Sequence, residues 1–188
     1  MPTPVRILIS THPFAQIDRS PMCMLEEANI AYQLNPYGRK LTENELSSLI
    51  FEFDVLIAGT EPITDKVLDA AKNLKLIARV GIGLDSVDLV SARKRGISVS
   101  YTPDAPSPSV AELTISLMLS LLRQTHLSNV WIRKGQWSRY FGRRLSESTV
   151  GIIGVGRIGK LVVELLLGLR CRRILVNDVD SSVVDELK

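Results

Sequence analysis

From Val5 onward, short runs of β-branched and aliphatic residues alternate with longer segments whose apolar positions recur at helical spacing. The pattern predicts strands over residues 5–10, 31–35, 55–58, 74–80 and 97–101. It predicts helices over residues 19–28, 43–51, 65–72 and 86–94. Local chemistry marks several boundaries. Thr42-Glu43-Asn44-Glu45 has the form of a capping box, and Thr64 offers a hydroxyl to the next helix. Gly96 falls where a helix end needs a left-handed residue.

Strands and helices alternating at this spacing pair in parallel through right-handed crossovers. Residues 1–102 are therefore expected to form a flavodoxin-like α/β domain. Three prolines between Thr102 and Pro108 then break the pattern and suit a crossing into a second domain, residues 103–188. Ser109-Val110-Ala111-Glu112 resembles another capping box, opening a helix over residues 109–123. Apolar residues cover most of that helix's circumference, which predicts packing on several sides, at the junction between domains. Residues 124–148 show no clear period but hold Trp131, Trp137, Tyr140 and Phe141. Two readings stand open: a loop folded back on its own domain, or an arm docked on a second subunit.

The next segment carries the chemistry. Thr149-Val150-Gly151-Ile152-Ile153 predicts a buried strand, Gly154-Val155-Gly156-Arg157-Ile158-Gly159 a turn, and Lys160 to Leu167 a helix. Arg173-Ile174-Leu175-Val176-Asn177 predicts the following strand, ending at Asp178. In such a turn the first glycine permits the tight bend, the second lets the backbone approach a pyrophosphate, and the third allows close helix–strand packing. Free N–H groups near Arg157 and Ile158, with the helix dipole, favour a doubly negative ligand. Asp178 lies nineteen residues beyond Gly159, where a carboxylate accepts from a ribose 2′-OH. That carboxylate would repel a 2′-phosphate, and no Lys or Arg follows it directly. NAD is thus expected as cofactor, held by Gly154, Gly156, Arg157, Ile158, Gly159 and Asp178.

Composition narrows the remaining choices. The 188 residues are 45% hydrophobic and 23% charged, with a net charge of +3 spread along the chain, so no basic face for nucleic acid is expected. Arg139, Arg143 and Arg144 read as a solvated loop face. Cys23 and Cys171 are the only cysteines, far apart and without metal-ligand spacing, which suits a reducing cytoplasm and predicts no metal site. The longest apolar stretch, residues 113–122, is broken by Thr114, Ser116 and Ser120. It falls well short of the ~20 residues that span a bilayer. No signal peptide and no membrane contact are expected.

With these features placed, the chain resembles the D-isomer-specific 2-hydroxyacid dehydrogenases, the family that includes phosphoglycerate dehydrogenase. The resemblance runs through Leu56-Ile57-Ala58-Gly59-Thr60-Glu61-Pro62-Ile63-Thr64 and Ala78-Arg79-Val80-Gly81-Ile82-Gly83-Leu84-Asp85-Ser86-Val87-Asp88. It continues through Thr102-Pro103, Val110-Ala111-Glu112-Leu113 and the glycine turn. It implies a substrate domain followed by the beginning of a Rossmann dinucleotide-binding domain with an incomplete parallel sheet, and an active site in the cleft between the domains. It also implies hydride transfer between NAD(H) and a small 2-hydroxy or 2-oxo acid. The substrate carboxylate would meet the N–H groups of Val80, Gly81, Ile82 and Gly83. Glu61 lies where some relatives carry cations, and would repel a phosphorylated substrate. Asp85 and Asp88 read as acids at a helix N-terminus.

The family's catalytic Arg, acidic partner and His come from later in the nucleotide domain, so no catalytic residue is expected here. His12 and His126 match neither the family's histidine nor its setting. Only two strands, one on either side of the glycine turn, and one complete helix are predicted here, whereas a full dinucleotide domain uses about six strands. A C-terminally truncated chain is expected, inactive alone, with NAD bound weakly or not at all, and self-associated as a homodimer. A non-catalytic dinucleotide sensor or dimerisation module on the same scaffold is the alternative. A flavodoxin-like receiver with an appended helix accounts for the first hundred residues but not for residues 154–178.

Overall fold

The computed structural model describes residues 4–186. The chain divides into two compact units, Met1–Pro103 and Asp104–Lys188.

In the first unit the predicted strands and helices form in order: β1 (Arg6–Ile9), α1 (Ser20–Glu27), β2 (Ala31–Leu34), α2 (Glu43–Leu49), β3 (Val55–Ala58), α3 (Asp65–Ala70), β4 (Leu76–Arg79), α4 (Leu89–Lys94) and β5 (Ser98–Ser100). All five strands are parallel, in the order β2-β1-β3-β4-β5. This is the flavodoxin-like order expected from the alternation. Leu8 and Ile9 on β1 and Leu56 and Ala58 on β3 are wholly buried, as befits strands covered on both faces. Leu46, Ile50, Phe53, Val67, Leu68 and Ile77 close the core around them.

The capping box forms at α2: Glu45 N–H donates to Thr42 Oγ1, and the Glu45 carboxylate accepts from Thr42 N–H at 2.9 Å. Thr64 departs from expectation. Its hydroxyl makes no cap bond with α3 and instead donates to Glu43 Oε1, on the neighbouring helix. The fourth helix starts at Leu89 rather than Ser86, because Asp88 caps it by accepting from Ser91 N–H at 2.8 Å. Gly96 takes φ +70° just beyond that helix, as expected.

The second unit holds α5 (Ser107–Arg123), α6 (Thr125–Arg133), β6 (Thr149–Ile153), α7 (Arg157–Gly168), β7 (Arg173–Asn177) and α8 (Ser181–Asp185). Strands β6 and β7 pair in parallel as a two-stranded sheet. Ala111 and Ile115 of α5 pack with Leu145 and with Val162 and Leu166 of α7 to form its core.

Three expectations change here. The Ser109 capping box does not form, since α5 begins two residues earlier, with Pro106 at its N-cap position. Nor is α5 packed on several sides: Leu113, Leu117 and Leu121 are 57%, 57% and 69% exposed. And the segment after it is not wholly irregular. Gln124 turns left-handed at φ +54° and α6 follows, with no buried residue. The segment then returns to α5 at Arg143, whose N–H donates to Leu122 O at 3.2 Å.

Candidate functional site

Two clusters of backbone donors stand out, one in each unit. The first is the loop leaving β4. Its start is fixed by the sheet, where Val80 N–H donates to Ala58 O at 2.8 Å. Its far end is fixed by a parallel bridge between Ile63 and Val87, with Ile63 N–H donating to Ser86 O and Asp88 N–H to Ile63 O. Between these anchors Gly81 takes φ +138°, a conformation that side chains disfavour. Of the four residues expected to face a carboxylate, two have committed their N–H groups within the fold. Val80 N–H belongs to the sheet, and Gly81 N–H donates to Thr102 Oγ1 at 3.0 Å. Among the described residues, Ile82 N–H and Gly83 N–H meet no acceptor, and these two remain available to an anion.

Arg79 lies against this loop. It is 7% exposed, its Nη1 donates to Val80 O at 2.7 Å, and its Nε has no partner among the described residues. A Cβ on Gly81 would stand 3.2 Å from Arg79 Nη1. A buried guanidinium without a carboxylate partner is costly to fold, and its field favours an anion at the loop. Glu61 is the opposite case. It is 1% exposed and accepts from Ser10 Oγ and from Gly59 N–H. One oxygen of its carboxylate, Oε1, holds the turn after β3.

The second cluster is the glycine turn. Gly154 takes φ +90°. A Cβ at Gly159 would come within 2.1 Å of Gly154 O, so the helix and the strand end could not approach as they do with any other residue there. A Cβ at Gly156 would meet nothing within 4 Å, which leaves its face open to a ligand. Gly156 is also the N-cap of α7 and supplies no side-chain acceptor. The first main-chain bond of the helix is Lys160 N–H to Gly156 O, so the preceding N–H groups are free to bind an anion.

Asp178 closes the turn from the end of β7. Val155 N–H donates to its Oδ2 at 2.7 Å and Asp180 N–H to its Oδ1 at 3.0 Å. These amides, Asp180 first and then Val155, hold its carboxyl below the ordinary range for an aspartate. A charged carboxylate accepts only, and each oxygen keeps capacity for a hydroxyl donor. The donor set and the open Gly156 face thus fit a dinucleotide: pyrophosphate at the helix start, ribose at Asp178. The Arg157 side chain ion-pairs with Asp104, Nε to Oδ1 at 2.7 Å. Both partners are largely exposed, so the pair contributes little stability.

Neither histidine joins these clusters. His12 lies in the exposed segment after β1 and His126 in the first turn of α6. The contacts that sequence reasoning missed are those of Thr102, Arg79 and Asp104. Thr102-Pro103 was visible as a motif, but only the folded chain shows what its hydroxyl touches.

The model of the D-isomer specific 2-hydroxyacid dehydrogenase catalytic domain matches residues 7–182. A hydroxypyruvate reductase of Thermotoga maritima is 40% identical over 138 residues, which cover 72% of this chain and 45% of that protein. A D-3-phosphoglycerate dehydrogenase of Methanocaldococcus jannaschii is 42% identical over 128 residues, covering 66% of this chain and 24% of that one. The chain thus spans less than half the length of these relatives. Among solved structures, a Thermus thermophilus protein superposes with a TM-score of 0.84 at 31% identity, over 94% of this chain and 57% of that one. A D-lactate dehydrogenase of Aquifex aeolicus, solved with NAD and lactic acid, gives 0.73 at 26% identity, over 96% and 54%. With a match across nearly its whole length, the chain belongs to the D-isomer specific 2-hydroxyacid dehydrogenase family.

Proposed function

We propose that residues 1–188 carry the substrate-carboxylate loop and the first half of the cofactor site of an NAD-dependent oxidoreductase acting on a small 2-hydroxy or 2-oxo acid. The observation that carries the cofactor half is the bond from Val155 N–H to Asp178 Oδ2. It joins the glycine turn to the ribose-binding acid in one preformed unit. Bound NAD would supply the hydride acceptor for the hydroxyl carbon. The chain's own residues would do the rest of the holding. Amides at the start of α7 take the pyrophosphate, Asp178 takes the adenosine ribose hydroxyls, and Ile82 and Gly83 N–H take the substrate carboxylate. The unpaired charge of Arg79 favours that carboxylate from within the fold.

Proton transfer needs an acid–base group near neutral pH, and His12 and His126 stand in neither cluster. Residues 1–188 by themselves are therefore assigned binding without turnover. The exposed Leu113, Leu117 and Leu121, with Trp137 and Phe141 in the same unit, support association with a second copy.

Calorimetric titration of residues 1–188 with NADH and NADPH, alongside a turnover assay with a panel of 2-oxo acids, tests this reading. NADH is expected to bind weakly, with NADPH at least about tenfold weaker, a gap of ~1.4 kcal/mol. No NADH oxidation is expected. Equal or tighter NADPH binding would overturn the cofactor assignment, and steady turnover would overturn the assignment of catalysis elsewhere.

A further inference from the structure

Thr102 grips Gly81 twice. Gly81 N–H donates to Thr102 Oγ1 at 3.0 Å, and Thr102 N–H donates to Gly81 O at 3.0 Å. The peptide between Val80 and Gly81 is therefore held at both ends, its oxygen by Arg79 Nη1 at 2.7 Å and its N–H by the threonine hydroxyl. The next peptide, between Gly81 and Ile82, is held at its oxygen by Thr102 N–H. A peptide unit is planar and trans. Fixing the Gly81 carbonyl therefore fixes the direction of Ile82 N–H, which points the opposite way. Gly81 sits between two locked planes at φ +138°, a conformation open to glycine, so it is these hydrogen bonds that select it.

We propose that Thr102 is the positioning residue of the carboxylate loop, its hydroxyl and its own N–H together setting the two peptide planes around Gly81 so that Ile82 N–H is presented to an anionic ligand. The inference rests on the reading of that loop as the substrate-carboxylate cradle. In this role Thr102 acts through the loop. Its hydroxyl consumes the one loop N–H that would otherwise compete for position, and leaves Ile82 and Gly83 as the donor pair. Pro103 follows directly, and its ring restricts Thr102 to extended conformations, which stiffens the grip from the threonine side.

The test uses amide-resolved NMR on the 188-residue chain, with oxamate as the probe carboxylate. Thr102→Val removes the hydroxyl and keeps the branched shape and the N–H. Thr102→Ser keeps the hydroxyl. In wild type, oxamate is expected to shift the Ile82 and Gly83 amides. In T102V the Gly81 amide should exchange about tenfold faster, and oxamate affinity should fall about fivefold, the range expected for one hydrogen bond. T102S should stay within about twofold of wild type on both readouts. A purely structural threonine would speed Gly81 exchange while leaving oxamate affinity untouched, and that result overturns the proposal. So does equal affinity with unchanged exchange. A wild type that binds oxamate without shifts at Ile82 and Gly83, or does not bind it, removes the carboxylate-loop reading and the proposal together. Failure of the proposal alone shows wild-type shifts with an indifferent T102V. Thr102 is an exposed residue, so Thr102→Ala, read the same way, carries the comparison if the valine variant does not fold.

Discussion

At the scale of single residues, the fold decides whether a charge is a tool or a fastener. Glu61 and Asp178 are both carboxylates that accept from main-chain N–H groups. Glu61 is sealed inside, with one oxygen, Oε1, pinned by Ser10 and Gly59. Asp178 is half-buried, with oxygen capacity left for a ligand. The order of residues reveals Asp178, because its distance from the glycine turn is set by one helix and one strand. It does not reveal Glu61's role, because burial depends on residues some fifty positions away, Ser10 among them. Gly159 shows the reverse. Its place in the motif states the need for a small residue, and the structure supplies the reason: a Cβ there would lie 2.1 Å from Gly154 O. Both atoms are held by main chain, so neither can swing aside. Gly159→Ala is expected to lower the stability of the second unit by ~1–3 kcal/mol, as overpacking does, and to weaken NADH binding. Urea denaturation checks the first, and an unchanged midpoint would show that the turn widens without cost.

Elements were legible where their pattern was long or their ends were marked. The five parallel strands of the first unit and the β6–α7–β7 segment follow from periodicity and turn chemistry. Helix α6 was not legible: its apolar Leu127, Val130 and Trp131 cover less than three turns, and none of its residues is buried. Such a short pattern cannot be told from a loop by period alone. Helix α5 was found, but its surroundings were misjudged. An all-round apolar helix demands partners, and this unit supplies them on one face only. The capping box of α2 carries a pH dependence. Arg39, and after it Thr42 N–H, pull the Glu45 carboxyl from 4.5 to about 2. Folding thus favours its charged form. The stabilisation is complete above the ordinary carboxylate range and fades as pH falls through the folded value. Wild type and Glu45→Gln should therefore differ most in stability near neutral pH and converge towards about pH 2. Thermal melts across that range check it, and a constant difference would contradict the assigned role.

On the scale of the whole molecule, each of the two units has a short run of main-chain N–H groups without acceptors among the described residues, and the second also has exposed apolar surface. Leu113, Leu117 and Leu121 recur every fourth residue along α5, and Ile153 and Leu175 are exposed on the sheet. Contiguous exposed apolar surface on a helix marks an interaction site. Sedimentation velocity should show a species larger than the monomer at micromolar concentration, and Leu117→Glu should shift it towards monomer. A monomer in both would remove the dimer from the proposal. Among the described residues no helix is long and apolar enough to cross a membrane. The central claim is that the turn from Gly154 to Gly159, closed by Asp178, is a working dinucleotide cradle. The most direct measurement is the NADH titration followed by amide NMR, residue by residue. Shifts concentrated at Val155, Gly156, Arg157, Ile158 and Asp178, and abolished by Gly156→Val, are the predicted result. NADH shifts that avoid the turn, or survive Gly156→Val unchanged, would contradict it.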